Sequence, residues 1–131
     1  MSRELHPDLT RQERDRLHAS GIELFNRGDF YAAHEAWEEI WRSTTPEPKL
    51  LFQGLVQVSA GLHQILDLGR LAGPRSTLAK ARRNLEPFVP EAEGLDVAAL
   101  LASVTAWLEW LEAPEATRPT LPVLCLRAAP G

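Results

Sequence analysis

Apolar residues return every three or four positions along most of this chain, and no stretch alternates with period two for long enough to make a convincing strand. The pattern predicts five helical segments and an all-α fold. The first segment opens at Thr10-Arg11-Gln12-Glu13. In that spelling the Thr10 hydroxyl and the Glu13 carboxylate each satisfy a backbone N–H that the helix start leaves orphaned. Leu17, Gly21, Leu24 and Phe25 then share one helical face. Asn26-Arg27-Gly28-Asp29 reads as a turn, with Gly28 suited to a left-handed backbone and Asp29 placed to cap the next helix. The first two helices are therefore expected to form a hairpin.

The second segment, about Phe30 to Arg42, carries Phe30, Ala33, Trp37, Ile40 and Trp41 at helical spacing, so a Phe and both Trp residues are expected in the core. Thr44-Thr45-Pro46-Glu47-Pro48 breaks it, because proline lacks an N–H and disfavours a helical residue before it. The third segment, about Leu50 to Leu68, is apolar nearly all round, which predicts a central helix. Its Gly54 and Gly61 would let a neighbouring backbone come close. A fourth begins near Gly73-Pro74, carries Leu78, Ala81, Arg82 and Leu85 on one side, and ends at Pro87. After an acidic, proline-rich loop, Asp96 is placed to cap a fifth helix whose face is Val97, Leu100, Leu101, Val104, Leu108 and Leu111. The expected organisation is one helical domain over residues 1–112 and an extended proline-rich tail over 113–131, packed along the bundle or partly mobile.

Composition supports an ordinary globular chain: 131 residues, 44% hydrophobic, 24% charged and a formal net charge of -4. That is enough for one sizeable core and does not suit a disordered segment. The single cysteine, Cys125, cannot close an internal disulfide and reads as a small apolar residue. No run approaches the roughly 18 to 20 apolar residues of a membrane span, and the start is charged where a signal peptide turns apolar. A cytoplasmic protein away from membranes is expected. Arg70, Arg75, Lys80, Arg82 and Arg83 cluster around the fourth helix, but the chain is acidic and no aromatics interleave with them. A solvated face is expected there, not a nucleic-acid contact.

Two ordered motifs stand at a fixed separation: Phe25-Asn26-x-Gly28-x-Phe30-x-x-Ala33-His34-Glu35-x-Trp37-Glu38-x-x-Trp41, then Phe52-Gln53-Gly54-Leu55-Val56-Gln57 with Ala60-Gly61-x-His63. Over roughly Ala19 to Leu85 the chain resembles the small helical family known as domain of unknown function family 309. The resemblance implies an all-α fold and carries no activity with it. Gly28, Phe30, Ala33 and Trp37 also fall at the spacings of a tetratricopeptide hairpin, although no second copy follows about 34 residues on. The likeness is one of helical-hairpin physics.

One constellation could carry chemistry. His34-Glu35-Ala36-Trp37-Glu38 is similar to the zinc-protease spelling H-E-x-x-H, with Glu38 where the second His would stand. A His and a carboxylate one turn apart still present two ligands on one face, suited to zinc, iron or manganese. Glu35 could then serve as base, and His63 on the third helix as a third metal ligand that leaves one position open for water. Gln53, Gln57 and Gln64 share a narrow face of that helix and need hydrogen-bond partners where buried, so Gln53 and Gln57 are candidates for a polar network. His63 projects roughly 120° from Gln57, so one neighbouring helix cannot easily meet both. Two functional readings follow. The first is a helical interaction module that binds a protein partner or a second copy of itself, with His34 and its carboxylates packed as structural polar groups. The alternative is a small hydrolase-like enzyme that uses a divalent metal at His34, Glu38 and His63.

Overall fold

The computed structural model describes residues 9–43 and 47–125. Five α-helices follow in order: α1, Arg11–Asn26; α2, Phe30–Trp41; α3, Lys49–Leu66; α4, Ala72–Leu85; and α5, Val97–Glu112. The start of α1 follows from its spelling. Thr10 Oγ1 accepts from the Glu13 N–H at 3.0 Å while Glu13 accepts the Thr10 N–H at 2.9 Å. The turn after α1 holds Gly28 at φ 87°, where a Cβ would be strained, and Asp29 caps α2 through the Ala32 N–H. Thr44, Thr45 and Pro46 of the expected helix break lie outside the described residues.

The side-chain contacts run in opposite senses along successive helices, so the bundle goes up and down. Phe25 meets Phe30 edge-on while Gly21, a turn earlier, lies under Trp37. Between α3 and α4, Gly54 lies against Leu85 and Gly61 against Leu78, and a Cβ on either glycine would come within 2.7 Å of the leucine side chain. This close approach makes α3 the centre of the bundle, flanked by α2 and α4, with Leu51, Phe52, Leu55, Val58, Leu62 and Ile65 all buried.

Several details differ from the sequence pattern. Trp41 is only half-buried, with the Lys49 ammonium over its ring, so Trp37 alone is the tryptophan anchor of α2. On α1 the buried stripe is Arg14, His18, Gly21, Ile22 and Phe25, and Leu17 and Leu24 sit at its edge. Arg82 is exposed with the other basic residues around α4, and Arg75 reaches Glu112 at 3.5 Å. On α5 the buried face takes in Trp107 and Trp110, while Leu101 is half-buried.

The loop after α4 is not plain coil: a short 3-10 turn, Glu86–Phe88, leads into a two-residue antiparallel ladder of β1, Glu91–Ala92, and β2, Leu95–Asp96. Its turn residues Glu93 and Gly94 both have positive φ, 50° and 77°, the backbone a two-residue hairpin requires. As expected, Asp96 caps α5 through the Ala99 N–H.

The described part of the tail is extended and packed. Trp107 and Trp110 donate their indole N–H groups to the carbonyls of Thr120 and Ala116, and Asn26 brackets the backbone of Leu124 with its side-chain oxygen and nitrogen. Leu124 is buried beneath this clasp. Cys125 is exposed and does not pack as a small apolar residue. Among the described residues no helix is long and apolar enough to cross a membrane.

Candidate functional site between the second and third helices

The 3.6-residue turn of α2 divides its motif between two directions. Phe30, Ala33, Trp37 and Ile40 point inward and are buried. Tyr31, His34 and Glu38 fall beside that stripe, where α3 passes. A cleft of about 200 Å³ opens there, lined by Tyr31, His34, Ala60, His63, Gln64, Leu68 and Arg70. Tyr31 and Leu68 form its rim and are about half exposed, at 50% and 47%. The Tyr31 ring stands between both imidazoles, its centroid 5.9 Å from His34 and 5.2 Å from His63.

Three of the polar side chains have a defined neighbour. His34 Nε2 lies 3.6 Å from Glu38 Oε1, and Arg42 approaches the other Glu38 oxygen at 3.9 Å. His63 Nδ1 is paired with Asp67 on its own helix at 2.7 Å. The Tyr31 hydroxyl is held above its ordinary pKa, first by its hydrogen bond to the Glu35 carboxylate and then by that group's charge. Two buried atoms among the lining residues, His34 Nδ1 and Gln64 Oε1, have no hydrogen-bond partner among the described residues.

The candidate metal ligands are thus only partly brought together. His34 and Glu38 share one face, and His63 lines the same cleft but turns Nδ1 to Asp67. Among the described residues no group of three His, Cys, Asp or Glu side chains is placed to hold a metal ion. Glu35 is exposed and engaged by Tyr31, to the side of the His34–Glu38 pair.

The glutamines separate along the axis of α3. Gln57 faces α4, where its Oε1 accepts from Asn84 at 2.8 Å, Gln53 is half-buried, and Gln64 reaches the cleft. The polar network expected of Gln53 and Gln57 is therefore a Gln57–Asn84 bond away from His34. Gln57 on the α4 side and His63 on the α2 side conform to the 120° separation on the helical wheel.

The family model described as Domain of unknown function (DUF309) matches residues 18–76. The resemblance read from the sequence is shown over this segment. The DUF309 segment contains every residue that lines the cleft and all of α2 and α3. It also contains Trp37 and His18, whose partnership the sequence pattern missed. No curated protein matches the chain.

The missed arrangement ties the DUF309 segment to the hairpin beyond it. Trp37 Nε1 donates to His18 Nδ1 at 3.0 Å, and His18 Nε2 stands 3.1 Å from the Glu93 carbonyl oxygen. An indole nitrogen only donates and a carbonyl only accepts, so His18 is the neutral tautomer with its proton on Nε2. Burial pushes its pKa down, with the Glu93 carbonyl and carboxylate opposing. Arg14, one turn before His18, bonds the Glu93 carboxylate at 2.6 Å and lies over the Phe52 ring. The available signal was an Arg and a His one turn apart on the apolar side of α1.

Proposed function

We propose that this chain is a non-catalytic interaction module that receives one side chain of a protein partner in the α2–α3 cleft. The observation that carries the reading is the pair of unpartnered buried atoms, His34 Nδ1 and Gln64 Oε1, on residues lining a cleft with an apolar rim. Buried polar groups normally find partners, because leaving one unpaired costs about 1 to 3 kcal/mol. Size supports a side chain as the guest. Small-molecule pockets run from about 300 to 1,000 Å³, whereas an apolar cavity of about 150 Å³ holds one benzene ring. The 200 Å³ cleft belongs with the second case. The alternative of a metal-dependent hydrolase has His34 and Glu38 in its favour and lacks a third ligand beside them among the described residues.

A photo-crosslinking amino acid at Tyr31 tests the reading in cells, with the same group at exposed Val89 as a control. A discrete crosslinked protein at position 31, absent at 89 and lost with Gln64→Leu, is expected. A product equal to twice the chain mass would make the partner a second copy. No specific product at position 31, together with stoichiometric metal that disappears in His34→Ala, would replace the module with the metal enzyme.

A further inference from the structure

We propose that the guest of the α2–α3 cleft is an arginine side chain. The inference rests on the binding reading above and supplies its chemistry. The hydrogen-bonding capacity of the lining residues decides it. Glu38 beside His34 Nε2 favours the tautomer with the proton on that nitrogen, which leaves Nδ1 as a bare acceptor. Asp67, at 2.7 Å from His63 Nδ1, does the same for the second imidazole and leaves Nε2 as an acceptor. Gln64 Oε1 is a third acceptor without a donor. Neither the Tyr31 hydroxyl nor the Arg70 guanidinium, both in the lining, donates to His34 Nδ1 or Gln64 Oε1.

A guest that meets three acceptors must be rich in donors. Arginine, lysine and tryptophan are the side chains that donate only, and tryptophan has a single N–H for three acceptors. The balance of charge is acidic, since three carboxylates, Glu35, Glu38 and Asp67, adjoin the cleft against one cation in its lining, Arg70. An anionic guest would face those carboxylates, and an apolar one would leave the acceptors unpaired.

Shape separates arginine from lysine. Three rings line the cleft, with Tyr31 tilted 31° to His34 and 49° to His63. A planar guanidinium stacks on aromatic faces and spreads its five N–H groups in one plane, whereas an ammonium is a compact and strongly hydrated point charge.

The test is a titration of the intact chain, followed by amide and imidazole NMR shifts, with four probes: the N-acetyl methylamides of arginine, lysine, norleucine and aspartate. Saturable shifts confined to Tyr31, His34, His63, Gln64 and their neighbours are expected for arginine in the millimolar range, with lysine weaker. Gln64→Leu should weaken the arginine probe about tenfold, as loss of a charge-assisted hydrogen bond does. Glu38→Gln, which keeps the size of the side chain, should weaken it as well, and preserved shift dispersion would show that both variants fold. Norleucine or aspartate binding as tightly as arginine would overturn the proposal and leave the binding module standing. If no probe shifts the cleft, the arginine proposal is overturned as well, and the crosslinking at Tyr31 then decides separately whether the cleft binds anything.

Discussion

His18 makes the stability of this protein depend on pH between neutrality and about 5.5, in a direction the structure dictates. Both ring nitrogens are engaged in the neutral form: Nδ1 accepts from Trp37 and Nε2 donates to Glu93. Protonation would put an N–H where the indole N–H already points, inside a region where Trp37 is fully buried. Burial accordingly lowers the pKa of His18 in the folded chain. An unfolded histidine takes up its proton near pH 6.5. Below that pH the unfolded chain binds a proton that the folded chain refuses, so stability is fully present above about 6.5 and falls as the pH drops towards the lowered folded value. One proton sets a limiting slope of about 1.4 kcal/mol per pH unit, so between pH 6.5 and 5.5 the loss is at most about 1 kcal/mol. For a domain of this size that is a fall of at most about 3 to 5 °C in Tm. The assay is urea unfolding by tryptophan fluorescence from pH 7.5 to 5.5, comparing wild type with His18→Asn, whose amide oxygen can accept from Trp37 without titrating. Subtraction removes the contributions of the other histidines and of the carboxylates. Identical pH slopes in the two proteins, or an NMR titration in which folded His18 protonates near 6.5, would refute the reasoning.

Two substitutions test the packing. Gly54→Ala should destabilise by about 0.5 to 2 kcal/mol, because a new methyl 2.7 Å from the buried Leu85 side chain costs more than the roughly 1 kcal/mol that alanine returns to a helix interior. The combination with Leu85→Ala should cost less than the sum of the single changes in a double-mutant cycle. Asn26→Ala should free the tail without unfolding the bundle, since it removes both hydrogen bonds to Leu124, each worth about 1 kcal/mol. Faster amide exchange over 121–125 with unchanged exchange in α3 is the expected signature.

What the sequence made legible is local. The Thr10 capping box, the Gly28 turn and the Asp96 cap depend on residues within a turn of one another, and each is present as spelled. Gly54 and Gly61 were legible as a close approach because only a missing Cβ explains glycine in an otherwise apolar helix. The His34–Glu38 pair followed from one-turn spacing. The His18–Glu93 contact joins residues 75 apart and involves a backbone carbonyl, which no side-chain pattern encodes. The glutamines show a different limit. Gln53 and Gln64 share a wheel angle but are 11 residues apart, about 16 Å along the axis, so they meet different neighbours. Trp107 and Trp110 were missed on α5 because the tail covers a side of that helix which the bundle alone would leave open.

Two histidines on adjoining helices of the same hairpin divide the labour according to what their nitrogens do. His18 has both engaged, is buried, and bonds the indole of Trp37, so it sets the rotation of α2 about its axis. His34 lies three residues before Trp37 on that helix and is rotated out of the core by the helical period, with Glu38 at one nitrogen and no partner at the other among the described residues. Fixing Trp37 therefore fixes where the bare nitrogen of His34 stands relative to Tyr31 and Gln64. A buried and saturated imidazole has no capacity left for a ligand, whereas a half-buried imidazole with one unsatisfied nitrogen in a cleft does. That difference in saturation, together with the side-chain size of the cleft, favours binding over catalysis as the use of the His34 motif.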